Sequence, residues 1–156
     1  MSYVRRSSGA VCDPDTQVFL GDTLGELTMF YAASDIAFVG GSLVPIGGHN
    51  LLEPAALSVP IVTGSHNFNA QDIADLLQEA GVASIIGNPR ELADEVVALF
   101  GDPDSRQRRG VRGREIVAEN RGALTRLLSL VYPLLDQPAD RLRPDLLSQS
   151  ASRSPH

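Results

Sequence analysis

Residues 40–54, GGSLVPIGGHNLLEP, place two glycine pairs, a His-Asn dipeptide and a glutamate directly behind a short apolar run. Glycine is favoured where the backbone takes unusual dihedral angles or where another group must approach the main chain closely. Backbone N–H groups at a glycine-rich entrance to a helix form a site for an anion such as phosphate. A carboxylate one turn further on, here Glu53, can accept hydrogen bonds from sugar hydroxyls. This stretch therefore indicates a site for a phosphate together with a sugar.

A second segment, residues 21–26, has a similar arrangement behind the preceding apolar run. In both segments a residue able to cap a helix stands three positions before a glutamate: Thr23 before Glu26, and Asn50 before Glu53. This is also the spacing of a capping box, which satisfies free amides at a helix start. A capping box needs no glycine pairs, so the glycines before Asn50 favour phosphate and sugar binding there. For Thr23 and Glu26 both interpretations stay open.

The same residues do not support other site chemistries. The glycines are not followed by the Gly-Lys-Ser/Thr of a Walker A loop, and they do not form the G-x-G-x-x-G fingerprint of a dinucleotide cofactor. His49 and His66 lack partners at metal-ligand spacing, so we predict no metal and no cofactor, and His49 is interpreted as a donor near the phosphate. A hydrolase triad of Ser42, His49 and Asp35 is not supported, because the G-x-S-x-G elbow is missing.

Short apolar runs alternate with helical periodicity along most of the chain. Strands are predicted at 17–20, 36–39, 60–64 and 82–86, and helices at 23–34, 51–57, 70–80 and 89–100. This alternation is typical of βαβ units, and near-continuous apolar strands suit a sheet that is covered on both faces. We therefore predict an α/β fold with a Rossmann-like, doubly wound parallel sheet. Ligands bind beyond the carboxyl ends of the strands in such sheets, where both glycine segments lie.

The last third of the chain has a different composition. Helices are predicted over residues 104–120 and 122–135, the second with an apolar stripe, and residues 137–156 resemble a disordered tail. Arginines at 106, 108, 109, 112 and 114 either bind an anionic partner or form a solvated face that pairs with Glu115 and Glu119, and the solvated face is favoured. We therefore divide the chain into one domain over residues 1–136 and the tail.

Charge and length limit the classes of function. The 156 residues suit one domain, the net charge is −6, and residues 1–89 contain two arginines against nine acidic residues. An acidic half of this kind argues against nucleic acid as a partner. The sequence has no run of about 18 apolar residues and only one cysteine, Cys12, which together predict a soluble, cytosolic chain.

Residues 18–83 resemble the carboxyl-terminal domain of the Kdo (3-deoxy-D-manno-octulosonic acid) transferases of lipopolysaccharide assembly. The similarity extends over about residues 3–130, and it rests on the motifs GDTxGEL, FVGGSL and GGHNxLEP, which occur in the same order and at the same spacing. It implies an inverting glycosyltransferase with the two-domain GT-B fold, at the cytoplasmic face of the bacterial inner membrane. The carboxyl-terminal domain of this family binds the donor CMP-Kdo. The amino-terminal domain binds the lipid A precursor and carries the catalytic carboxylate.

The resemblance also implies roles for individual residues. It places Gly25 and Glu26 against the cytidine, Gly47, Gly48, His49 and Asn50 near the phosphate, Glu53 on the ribose, and Ser42 at the mouth of the cleft. It implies no catalytic residue on this chain, because the base belongs to the amino-terminal domain. Where the family has GPHTFNF, residues 64–70 read GSHNFNA, which changes one wall of the cleft.

The sequence begins after the strand that opens the donor domain in this family. We therefore expect a fragment that is inactive alone, with a gap in its sheet that either closes or causes oligomerisation through exposed strand edges. Two alternatives stay open. One is a donor domain for another nucleotide sugar, such as a UDP-N-acetylglucosamine enzyme, and the other is a non-catalytic binding module whose glycines serve only packing.

Overall fold

A computed structural model describes the backbone of residues 1–135 and the side chains of residues 1–122. Within these residues the strands are β1 (Tyr3–Arg5), β2 (Val18–Leu20), β3 (Ala37–Val39), β4 (Ile61–Gly64) and β5 (Ala83–Ile86). The helices are α1 (Leu27–Ala32), α2 (Leu52–Ala56), α3 (Gln71–Glu79), α4 (Pro89–Gly101) and α5 (Pro103–Leu135), and a short 3₁₀ turn covers Arg6–Ser8. The alternation of strands and helices that the sequence predicts is confirmed.

The strands form two separate parallel sheets. One contains β1 and β2, and the other has the order β3-β4-β5. In a Rossmann sheet with the order 3-2-1-4-5-6, these two groups correspond to strands 3-2 and 4-5-6, and the position of strand 1 lies between them. No described strand occupies that position. The expectation that the amino-terminal strands have no partner beside β3 is therefore confirmed.

Apolar side chains cover both faces of the β3-β4-β5 sheet. Successive residues of a strand point to opposite faces, so Ile61 and Val62 belong to different clusters. The Ile61 cluster includes residues of α2, α3 and α5, whereas the Val62 cluster includes Leu99 of α4. Helices therefore pack on both faces, which confirms the doubly wound arrangement. By contrast, all three residues of β2 are exposed.

Three arginines of α5 bind partners on the same compact unit. The guanidinium of Arg109 donates to Glu95 at 3.1 Å and to Ser84 at 2.7 Å. Arg106 donates to the carbonyls of Leu99 and Phe100 at the end of α4. Arg112 forms an ion pair with Glu115 at 3.1 Å, as the interpretation of a solvated face predicts. The contact of Arg112 fits the favoured alternative of a solvated face, whereas Arg106 and Arg109 instead bind residues of α4 and β5.

Some predicted boundaries differ from the structure. The two helices predicted over 104–120 and 122–135 form one continuous helix, α5, because an isolated glycine such as Gly122 costs only about 1 kcal/mol in a helix. A first compact unit ends at Ala118 and a second begins at Glu119. The predicted apolar stripe over 124–135, the domain end at 136 and the tail over 137–156 lie outside the residues with described side chains. Among the described residues, no helix is both long and apolar enough to cross a lipid bilayer.

Adjacent leucines in α3 test the packing of the core. Leu77 is fully buried, whereas Leu76 is 38% exposed. Replacing Leu77 with alanine leaves a cavity, so we expect Leu77→Ala to lower the free energy of unfolding by about 2–5 kcal/mol. The matched control Leu76→Ala should cost less than about 1 kcal/mol. Urea unfolding followed by circular dichroism measures both values, and equal losses would contradict this description of the core.

Candidate functional site

The loops that follow β3 and β4 meet at the carboxyl edge of the sheet. The amide of His66 donates to the carbonyl of Ser42 at 2.9 Å, and the amide of Asn69 donates to the carbonyl of Gly47 at 3.3 Å. Within the first loop, the amide of Gly48 donates to the carbonyl of Gly41 at 2.9 Å. The first glycine-rich segment is therefore folded back on itself and joined to the loop after β4.

The glycine pair at 47–48 has two structural causes. Gly47 and Gly48 have φ values of 108° and 72°, in a region that other residues rarely adopt. A side chain at position 48 would place its Cβ 2.5 Å from Oδ1 of Asn67, and one at position 47 would collide with Asn69 and Phe68. Both conformation and packing therefore require glycine here. The sequence favours the approach of a phosphate and leaves packing as an alternative, and it does not identify the loop that packs against these glycines.

Asn50 and Glu53 contact each other at the start of α2. Oδ1 of Asn50 accepts a hydrogen bond from the amide of Leu52 at 3.0 Å, and its Nδ2 donates to Oε1 of Glu53 at 3.0 Å. Asn50 thus satisfies the amide of the first residue of α2, although the N-cap position is occupied by Leu51 and not by Asn50. Glu53 receives the side chain of Asn50 and not its backbone amide, so the full reciprocal capping box is not formed.

Thr23 and Glu26 are arranged differently. Helix α1 begins at Leu27, so Thr23 is not its N-cap residue, and the hydroxyl of Thr23 donates to the carboxylate of Glu26. The guanidinium of Arg6 forms an ion pair with the same carboxylate at 2.9 Å. These two interactions, the hydrogen bond from Thr23 first, hold the pKa of Glu26 below its ordinary value. The sequence does not indicate Arg6, because no local spacing signal links residues twenty positions apart.

Asp22 attaches the 3₁₀ turn to the segment 21–26. The hydroxyl and the amide of Ser7 donate to the two carboxylate oxygens of Asp22 at 2.7 and 2.9 Å. These hydrogen bonds lower the pKa of Asp22. The 3₁₀ turn at residues 6–8 therefore binds the segment 21–26 at two residues, Asp22 and Glu26.

Ser42 does not lie at the mouth of a cleft, as the resemblance implied, because it is fully buried. Its hydroxyl donates to the carbonyl of Val39 at 2.7 Å and accepts from the amide of Gly64 at 2.8 Å. The sequence could not reveal this position, since a serine behind two glycines is equally consistent with a surface turn. In the structure Ser42 joins the ends of β3 and β4.

The two glutamate-containing segments lie near each other because α1 and α2 are in contact. Burial, and then the negative charge of Glu53, raise the pKa of Tyr31 in α1, so Glu53 is close enough to α1 to act on it electrostatically. A cavity of about 360 Å³ lies beside the segment 21–26, and its lining residues are Gly21, Thr23, Leu24, Gly25, Leu27 and Phe30. His49 lies over Gly41, where an added Cβ would be 3.1 Å from its Nε2. The described residues contain no group of three potential metal ligands.

Comparison with known proteins relates this arrangement to one group of enzymes. The 3-deoxy-D-manno-octulosonic acid transferase of Haemophilus influenzae is 48% identical over 136 residues, which are 86% of this chain and 32% of that protein. The transferase of the same name from Bordetella pertussis is 40% identical over 129 residues, 82% of this chain and 30% of that protein. The chain thus spans about a third of the length of these relatives. No family model matches the sequence.

A solved structure resembles the fold. The crystal structure of the C-terminal CMP-Kdo binding domain of WaaA from Acinetobacter baumannii has a TM-score of 0.71 and 37% identity, and the match covers 74% of this chain and 61% of that one. The fold is thus that of the carboxyl-terminal, Rossmann-like domain of a GT-B glycosyltransferase. By sequence, the chain is a homologue of the 3-deoxy-D-manno-octulosonic acid transferases over about a third of their length, so the resemblance indicated by the three motifs is confirmed.

The ion pair between Arg6 and Glu26 can be tested through the titration of Glu26. A carboxylate whose pKa is lower in the folded state stabilises the fold at pH values above its ordinary pKa, which is 4.5 for Glu26. This stabilisation is lost as the pH falls through the lowered pKa. Removing Arg6 removes one of the two causes, so Arg6→Gln should raise the pKa of Glu26 towards that value. Titration of its side-chain carbon by NMR measures the change.

The control Arg112→Gln removes an arginine of comparable exposure that pairs with Glu115 instead. This variant should leave the titration of Glu26 unchanged. If the two variants give the same titration curve for Glu26, the ion pair in the structure does not form in solution.

Proposed function

We propose that this chain binds CMP-Kdo and is the donor-binding part of an inverting glycosyltransferase that transfers Kdo to a lipid A precursor. Two observations together are the main support. The chain has a glycine turn at the carboxyl edge of a parallel sheet, and it is 37% identical to a solved CMP-Kdo binding domain. The catalytic base and the acceptor site belong, in this proposal, to the rest of a longer enzyme. That enzyme acts at the cytoplasmic face of the bacterial inner membrane.

The geometry supports a division of the site into two parts. The cavity beside residues 21–25 has the flat ring of Phe30 and two leucines in its lining, which suits the face of a cytosine base. Gly25 lines this cavity, and Glu26 follows it directly. We assign the cytidine to this cavity and the ribose to the carboxylate of Glu53, whose charge acts on Tyr31 of α1.

The phosphate is assigned to the backbone of residues 47–50. The positive φ values of Gly47 and Gly48 shape this turn, and because the amide of Gly48 is bonded to the carbonyl of Gly41, the backbone donors assigned to the phosphate are the amides of Gly47, His49 and Asn50. His49 and Asn50 supply further donors at the same turn. Ser42 contributes indirectly, because its buried hydroxyl fixes the strand ends from which the turn starts.

The reaction follows from these contacts. A base takes the proton of the acceptor hydroxyl, whose oxygen forms a bond to the anomeric carbon while the bond from that carbon to the phosphate oxygen of CMP breaks. Negative charge collects on the departing phosphate, and amides that are already oriented stabilise it. The chain alone supplies only the donor half of this geometry, so we expect it to form no transfer product by itself.

A second candidate is a binding module without catalysis, because the packing of residues 67–69 explains the glycines at 47 and 48 without a ligand. A donor domain for another nucleotide sugar is the third. Titration with nucleotides separates the three. Selective binding of CMP over UMP supports the Kdo donor, a preference for UMP supports another sugar, and no binding by either supports the module.

Glu53 provides the sharpest test of the donor site. The half-site is open to solvent, so CMP should bind with a dissociation constant on the order of 1 mM. Glu53→Gln replaces a charged acceptor with a neutral one, and a hydrogen bond to a charged group contributes roughly 1.5–3 kcal/mol. The affinity for CMP should therefore fall about tenfold or more. Amide-shift titration with CMP measures both constants, and the shifted signals should concentrate at residues 22–26 and 47–53.

The control for this experiment is Glu79→Gln, at the end of α3 and outside both segments. It should bind CMP as the unaltered chain does. If Glu53→Gln instead lowers the melting temperature and leaves CMP affinity unchanged, the role of Glu53 is limited to its contact with Asn50 at the helix start.

We further propose that the open edges of β1 and β3 let copies of this chain associate. Phe38, in β3, is 40% exposed although it lies in the middle of an otherwise covered strand. A lysine at an edge opposes pairing between strands, so Phe38→Lys should weaken association. Light scattering after size-exclusion chromatography, across protein concentrations, measures the mass.

The matched control is Val97→Lys, which adds the same charge at a 71% exposed position of α4. It should associate as the unaltered chain does. A monomeric mass for all three proteins at every concentration would overturn the proposal that the edges pair.

A further inference from the structure

Asn67 is a buried polar residue that the proposed donor contacts do not use. Its side chain is only 2% exposed, yet it belongs to the loop after β4, where most neighbours are exposed or partly exposed. Nδ2 donates to the carbonyl of Gly64 at 2.6 Å, and Oδ1 accepts from the hydroxyl of Thr63 at 3.1 Å. Burying an amide is costly unless it is hydrogen bonded, and here both ends of the amide have partners. Asn67 is therefore fixed to the end of β4.

The same amide lies against the glycine turn of the other loop. Its Oδ1 occupies the space in which a Cβ of Gly48 would lie, at 2.5 Å from that position. Asn69 contacts the residue that precedes the glycine pair at 47–48, since its Nδ2 donates to the carbonyl of Ile46 at 3.4 Å. The ring of Phe68 lies 2.7 Å from the position of a Cβ on Gly47. Residues 67–69 therefore contact the turn at each of positions 46, 47 and 48.

These contacts restrict a segment that is flexible by composition. Glycine has more conformational freedom than any other residue, so two adjacent glycines do not hold one set of dihedral angles unaided. A ligand that binds a flexible turn must pay the entropy of ordering it, whereas a turn that is already ordered binds more tightly. A side chain that is itself held by two hydrogen bonds can provide this order.

We propose that Asn67 is a positioning residue that holds Gly47 and Gly48 in the conformation in which the turn at residues 47–50 binds the phosphate of a nucleotide. Asn67 does not touch the ligand and acts through the turn, with Asn69 as its second support. The inference rests on the proposed function for the identity of the ligand. The dependence of the turn on Asn67 can be measured without any ligand.

The experiment compares three variants of the whole chain by amide NMR. Asn67→Ser removes the amide that lies on Gly48, so the signals of Gly47 and Gly48 should move or broaden, and the dissociation constant for CMP should rise about tenfold. Asn69→Ala removes only an exposed contact, so Gly47 should shift while the melting temperature stays the same. Leu77→Ala is the control, since it destabilises the core without touching the turn.

The outcomes separate positioning from general destabilisation. Leu77→Ala should lower the melting temperature. It should leave the signals of Gly47 and Gly48 in place and the dissociation constant for CMP within twofold of that of the unaltered chain. The proposal is overturned if Asn67→Ser leaves the glycine signals in place, or if Leu77→Ala moves them as far. If Asn67→Ser does not fold, an unchanged Gly47 signal in Asn69→Ala overturns it equally.

Failure of the proposed function gives a different result. If the unaltered chain does not bind CMP at millimolar concentration, the donor assignment is wrong. The displacement of the glycine signals by Asn67→Ser in the absence of ligand would still support the dependence of the turn on Asn67.

Discussion

The hydroxyl of Ser42 is hydrogen bonded to the carbonyl of Val39 and to the amide of Gly64, and so it joins two neighbouring strands where both end. Two loops leave the sheet at this point, and the amide of His66 connects them again through the carbonyl of Ser42. A buried hydroxyl without partners would be costly, so the strand ends and the loops must form together. The glycine turn and the loop that packs against it both depend on this arrangement.

The part of the chain before β3 is held by a different kind of interaction. The sheet of β1 and β2 is largely exposed. Its connection to the following residues consists of the polar contacts of Ser7 with Asp22 and of Arg6 with Glu26, together with one edge-to-face contact between the rings of Phe19 and Phe30. Exposed ion pairs and hydrogen bonds of this kind contribute little to stability, whereas the apolar clusters around β4 contribute most. The half of the proposed site that receives the base is therefore held less firmly than the half that receives the phosphate.

Much of the fold could be predicted from the sequence, because apolar runs such as residues 61–64 are buried on both faces and leave a clear periodicity. The strand order could also be predicted, since parallel doubly wound sheets have few alternatives. Local patterns could not show contacts between distant segments. Nothing near Glu26 points to Arg6, and nothing near Gly48 points to Asn67. The burial of Ser42 was missed for the same reason, because its partners lie on two different strands.

The packing of residues 67–69 against the turn at 46–48 links the mutational histories of two loops. A residue larger than glycine at position 47 collides with Asn69 and Phe68 and is also strained by the positive φ of that position, so smaller side chains at 68 and 69 remove only part of its cost. Such changes are epistatic, since the cost of a side chain at position 47 depends on the residues at 68 and 69. Directed evolution of this site towards another ligand should therefore randomise both loops in one library, because single-position scanning does not detect this dependence.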